Sequence, residues 1–176
     1  KFPTGYNGVY DLEVMPGNAG VVAATVHTTV AVYENGVKRP NVVAPTEYNF
    51  GYNLEFGANS NRLYASFPRG FRRIAVDTNG ATLIEDVRDT LVASYNYDFD
   101  FNAGLCYTID GREFNPETKT MVTTVPYSGL VVADASTGRA YYLTTSSGMG
   151  TIHVLDMPSL MQIKTITVPI VGGSPA

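Results

Sequence analysis

Tryptophan is absent from this chain of 176 residues, cysteine occurs once and histidine twice. A lone cysteine, Cys106, excludes an intramolecular disulfide and a multi-cysteine zinc site. Within Leu105-Cys106-Tyr107 it reads as a small buried hydrophobe rather than a reactive thiol. His27 and His153 are far apart and have no metal-ligand spacing around them, so each reads as an ordinary strand residue. Charge is sparse, with 12 Lys and Arg against 16 Asp and Glu, for a net −4. The densest basic group is Arg69, Arg72 and Arg73. A surface that tracks phosphates needs a basic face, so neither nucleic acid nor an anionic membrane is an expected partner. No apolar run approaches the ~18 residues needed to span a bilayer. The most apolar stretch, Ala19 to Val26, has the length of a strand, and membrane insertion is not expected. Helical periodicity is missing too, because Gly, Pro or Asn-Gly interrupts most windows of about ten residues. The chain begins at Lys1 without Met or a signal peptide, so it is expected to be processed or cut from something longer.

What is present points to strands. Apolar residues make up 44% and charged residues 16%, which excludes disorder driven by charge. The 12 Tyr and 8 Phe, with abundant Val and Thr, suit half-buried pleated strands. The 17 Gly and 10 Pro are spread as turn punctuation. One pattern recurs: Tyr, then Asp or Asn, a large apolar residue, an acid, and another apolar residue. It appears as Tyr10-Asp11-Leu12-Glu13-Val14, Tyr52-Asn53-Leu54-Glu55-Phe56 and Tyr97-Asp98-Phe99-Asp100-Phe101, at offsets of 42 and 45. Each copy alternates with period two, and each is followed by a turn and an apolar strand. A third strand then ends in a polar turn: Glu34-Asn35-Gly36, Asp77-Thr78-Asn79-Gly80 and Asn115-Pro116-Glu117. Asn-Gly between apolar runs is a strong hairpin signal. A fourth copy starts at Leu130-Val131-Val132-Ala133, without the Tyr and the acid.

Units of about 40–45 residues with four strands each are expected of a β-propeller. The fold class is therefore all-β: one segment over 1–176, built of four consecutive four-stranded antiparallel blades near 8–43, 52–87, 95–125 and 128–168. A β-sandwich of short strands would leave the repeated pentapeptide unexplained.

With the blades aligned, the chain resembles the YVTN-type β-propellers of exported bacterial proteins. The residues that carry the resemblance are Val32 to Pro40 (VYENGVKRP), Phe71 to Asp77 (FRRIAVD), Gly138 to Thr144 (GRAYYLT) and Ile170 to Pro175. The similarity extends over most of residues 8–175. It implies an exported protein, periplasmic, surface-bound or secreted, with about seven blades. On that reading this chain is the second half of a ring, and Gly172-Gly173-Ser174-Pro175 leads into another blade. A partial ring is favoured over a closed four-bladed one, and it would leave blade edges open to self-association.

Glu13, Glu55 and Asp100 occupy equivalent places on the three complete inner strands, with Asp11, Asn53 and Asp98 as a second tier. The sharper reading is a channel site for a hard cation such as calcium. The plainer, preferred reading is that these acids are solvated or pair with Arg62, Arg72, Arg73, Arg112 and Arg139 of neighbouring blades. Ser146-Ser147-Gly148-Met149-Gly150 lacks the Gly-x-Ser-x-Gly nucleophile pattern and reads as a hairpin. Asp77-Thr78-Asn79-Gly80 lacks the later Glu of a calcium loop and reads as a turn. Tyr10, Tyr52 and Tyr97, with Tyr6, Tyr48 and Tyr95, lie where blade connections reach one end of the ring. They suit recognition of a protein or carbohydrate surface, or packing between blades. The expected function is a non-enzymatic binding or scaffold module without a cofactor. The alternative, kept open by lactonases with similar blades, is a metal-dependent propeller enzyme of the lactonase or lyase kind.

Overall fold

The computed structural model describes residues 8–26, 29–44, 53–92, 98–157 and 159–169. These form sixteen strands and no helix. Blade 1 holds β1 (Val9–Val14), β2 (Val21–Val26), β3 (Thr29–Glu34) and β4 (Val37–Val43). Blade 2 holds β5 (Leu54–Phe56), β6 (Arg62–Phe67), β7 (Gly70–Asp77) and β8 (Gly80–Arg88). Blade 3 holds β9 (Phe99–Asn102), β10 (Leu105–Thr108), β11 (Arg112–Asn115) and β12 (Thr120–Thr124). Blade 4 holds β13 (Leu130–Asp134), β14 (Arg139–Ser146), β15 (Met149–Asp156) and β16 (Gln162–Pro169).

Within each blade the strands pair antiparallel in chain order. Short turns make that order possible. Asn35-Gly36, Ala103-Gly104 and Ser147-Gly148 all take positive φ at both positions, which matches the twist of the strands they join. The Ser146–Gly150 segment is thus a hairpin tip. In the Asp77 turn, Oδ1 of Asp77 accepts the N–H groups of Asn79 (2.7 Å) and Gly80 (3.1 Å), an Asx turn. One backbone bridge crosses between blades among the described residues: Asn41 on β4 runs parallel to Gly80 on β8. Gly80 has φ +129, and a Cβ there would lie 2.2 Å from the Asn41 carbonyl oxygen. Only glycine allows that approach.

The blades stack through alternating side chains. Val21, Ala23 and Thr25 on β2 are fully buried, and the first two join Leu54, Leu63 and Ile74 of blade 2 in one core. Tyr64 and Phe71 of blade 2 meet Phe99, Cys106 and Phe114 of blade 3, with the Phe71 and Phe114 rings 5.0 Å apart. Tyr107 of blade 3 meets Val131, Ala140, Tyr142 and Leu155 of blade 4. The inner strands pack in sequence, β1 on β5, β5 on β9 and β9 on β13. Among the described residues no comparable packing returns β13 to β1.

The inner strands of the end blades expose apolar side chains on their far faces. On blade 1, Leu12 and Val14 are 53% and 48% exposed; on blade 4, Leu130 and Val132 are 61% and 59% exposed. Cross-strand register extends the blade 4 face to Tyr141, Leu143, Ile152 and Ile166. These faces correspond to those buried inside the stack. The four blades form an arc rather than a closed four-bladed ring.

Candidate functional site: the acids of the inner strands

Period-two alternation decides what each inner strand presents. Leu54, Phe56 and Phe99 are buried, while Glu55 and Asp100 between them are only partly so. Each tier is then tied to the next blade. Asp11 Oδ2 accepts the Leu54 N–H at 2.6 Å, Glu55 accepts the Phe101 N–H, and Asp100 Oδ2 accepts the Ala133 N–H at 2.5 Å. Asn53 donates to Asp98 at 2.7 Å. Asn102 donates to the Ala133 carbonyl at 2.7 Å and accepts from the Ala135 N–H at 3.2 Å. Blades 1 to 4 are thus joined in series by polar links. The register of these links places Val132 where Glu55 and Asp100 stand, so the series stops at blade 4.

This corrects the expected pairing of the acids with arginine. Arg62 binds Glu117 at 2.7 Å, Arg72 binds Asp86 at 3.0 Å, and Arg73 binds Glu117 and, at 3.1 Å, Glu85. Arg112 binds Asp110 at 3.3 Å and Arg139 binds Asp156 at 3.0 Å. Among the described residues no ion pair reaches Asp11, Glu13, Glu55, Asp98 or Asp100. Glu13, Glu55, Asp98 and Asp100 resist ionisation. Burial, with repulsion from Asp11 and Asp100, pushes Glu13 up to about 7. Burial, with repulsion from Glu13, Asp100 and Asp11, pushes Glu55 up to about 9, although the Phe101 N–H lowers it. Burial raises Asp98 and Asp100 as well. Among the described residues no three His, Cys, Asp or Glu side chains stand in an arrangement that could hold a metal ion.

Tyr10 lies on β1 and is 62% exposed. Tyr52 and Tyr97 lie outside the described residues, as do Tyr6, Tyr48, Tyr95 and His27. His153 is satisfied within blade 4: Nε2 lies 3.1 Å from Thr144 Oγ1, Nδ1 lies 2.9 Å from Gln162 Oε1, and Tyr127 stacks on the ring. Cys106 is fully buried, and burial with the nearby Glu55 and Asp100 pushes its thiol well up, away from nucleophilic use.

Sequence reasoning missed a second polar cluster, between blades 2 and 3. Glu117 accepts the Tyr64 hydroxyl at 2.7 Å beside its two arginine pairs. Lys119 adds a 2.9 Å pair to Glu85. Burial opposes ionisation of Glu117, but the hydrogen bonds from Tyr64 and Arg73 and the charges of Arg62 and Arg73 hold it below the usual carboxylate value. A cavity of about 390 Å3 opens beside it, lined by Asn59, Asn61, Arg62, Tyr64, Asn115 and Glu117. No local motif marks this site, since its members come from β6, β7, β8, β11 and two turns.

Four-stranded blades, sequential inner strands and interblade cores together settle the architecture. The chain is a β-propeller segment. Its likeness to solved structures agrees. It is similar to hydrazine synthase from Kuenenia stuttgartiensis (TM-score 0.74, 10% identity, 93% of this chain and 50% of that one). It is similar to the Dos1 propeller (TM-score 0.68, 13% identity, 93% and 48%). It is also similar to a putative 6-phosphogluconolactonase from Bacteroides uniformis (TM-score 0.65, 14% identity, 93% and 56%). The propeller segment thus spans about half the length of these structures. At such low identity the likeness is one of fold alone. No family model and no curated protein matches the sequence.

Proposed function

We propose that this propeller segment is a non-enzymatic binding or scaffold module, an arc of a larger ring in an exported bacterial protein of the YVTN type. The observation that carries the reading is the use of the inner-strand acids. Asp11, Glu55 and Asp100 each accept a backbone N–H of the following blade, so groups that could serve chemistry in the channel hold the scaffold together. The apolar far faces of blades 1 and 4 support the larger ring, since each matches a face that is buried inside the stack. Further blades, or another copy through self-association, would cover them. Exposed Tyr10 beside Leu12 on β1 supports contact with a protein or carbohydrate surface, a role that Tyr52 and Tyr97 would share by repeat equivalence.

The second reading, a metal-dependent enzyme of the lactonase or lyase kind, draws on the repulsion that neighbouring acids exert on Glu13 and Glu55, although among the described residues no three such side chains stand as a bound ion would need. Melting curves under calcium titration, with a lactone-hydrolysis assay, separate the two. The module reading expects no shift at millimolar calcium and no turnover. Calcium-dependent hydrolysis lost in Glu55→Gln would establish the enzyme instead. Light scattering tests the arc, which expects association through the end faces; a compact monomer whose Leu130 and Leu12 are protected from solvent would contradict it.

A further inference from the structure

Between blades 3 and 4 lies a cavity of about 330 Å3. Its walls are mostly apolar, with Leu105 and Val122 from blade 3 and Ala135 and Met157 from blade 4. One carboxyl stands among them: Glu113 on β11, only 3% exposed. Tyr107, its cross-strand neighbour, donates its hydroxyl to it. Burial nevertheless raises the carboxyl above its ordinary value.

The other glutamates nearby are treated differently. Glu117 takes two arginines, and Glu85 takes Arg73 and Lys119. Glu113 takes no ion pair among the described residues, because Arg112 is held by Asp110 and Arg139 by Asp156. Burial, with the nearby Glu113, Asp110 and Asp100, raises the Tyr142 hydroxyl. That hydroxyl has no hydrogen-bond partner among the described residues. An acid kept in an apolar cleft without a cation is unfavourable for folding alone and marks a binding position.

We propose that this cleft binds a small organic cation, a primary or secondary ammonium on a short apolar body. The ammonium would pair with Glu113 while the body covers Leu105, Val122 and Met157. An alcohol of the same shape would leave a carboxylate uncompensated, and a carboxylic acid anion would be repelled. The cleft is built from blades 3 and 4 only, so it exists whatever covers the two end faces.

Titration of the full chain with n-butylammonium at neutral pH, followed by backbone amide NMR, tests the proposal. Saturable shifts are expected at Leu105, Glu113 and Met157. n-Butanol and butyrate carry the same apolar body and should bind about tenfold or more weakly, as should butylammonium to Glu113→Gln. Val122→Trp fills the cleft from a partly exposed strand position and should abolish binding with the spectrum otherwise native. It provides the decision if Glu113→Gln does not fold. Absence of saturable shifts at millimolar butylammonium, equal binding of butanol, or full affinity in a folded variant would each overturn the assignment.

Discussion

Replacing Glu55 by glutamine removes an ionisable group from the channel but keeps an acceptor for the Phe101 N–H. The consequence for stability has a definite sign. The folded carboxyl is pushed up to about 9 from 4.5, so folding takes up a proton between those values. Stability from this group is fully present below the unfolded value and is lost as pH rises toward 9. At ~1.4 kcal/mol per pKa unit the ceiling is about 6 kcal/mol. Water in the channel screens the group, leaving about 2–3 kcal/mol. Glu13, pushed to about 7, adds a smaller loss over the lower part of the window because it is more exposed. Glutamine imitates the protonated acid at every pH. Urea unfolding at pH 5.5, 7 and 9 should therefore show a falling stability for the wild type and a flatter line for Glu55→Gln. The two should agree near pH 5.5 and differ by about 2 kcal/mol at pH 9. The window lies above the range where ion-paired acids such as Glu117 and Glu85, both held low, begin to protonate. Parallel lines for the two proteins, or a wild type that gains stability with rising pH, would refute the reasoning.

Other outcomes follow from the packing. Phe114→Ala removes a fully buried ring stacked near Phe71 and should cost about 3–5 kcal/mol in denaturant unfolding. Gly80→Ala sets a Cβ against the Asn41 carbonyl in a strained backbone region; a loss of about 1–3 kcal/mol is expected, with faster hydrogen exchange at Asn41, whose N–H bonds Asn79. Asn102→Ala deletes the two bonds that this side chain makes to blade 4. It should cost about 1–2 kcal/mol and raise exchange at Ala135 more than at Leu54.

Much of the fold was legible because a blade is a local object. Its strands follow in chain order, its turns carry their own chemistry, as in Asn35-Gly36, and the period-two pattern fixes which side chains are buried. The repeat then placed Glu13, Glu55 and Asp100 on successive inner strands. What these acids bind was not legible. Asp11, Glu55 and Asp100 accept backbone N–H groups of the next blade, and every residue except proline has one, so no sequence pattern distinguishes Leu54 or Phe101 as a donor. Arginine was expected as partner because it is visible by name, yet Arg62 and Arg73 found Glu117 from a turn. Asn102 ends β9 and reaches two residues of blade 4, contacts that no local pattern signals. Glu113 carried no signal at all, since a buried acid looks like a surface one until the opposing sheet is known.

The polar links of the inner strands all run in one direction, each acid or amide reaching forward along the chain. Trimming the molecule from its two ends is therefore unequal. Loss of blade 1 frees the Leu54 amide and the Asp77 and Asn79 carbonyls, all near turns or the channel, where water can satisfy them. Loss of blade 4 strands the Asp100 carboxyl and both ends of the Asn102 amide. Shortened versions lacking the first sheet should outlast those lacking the last.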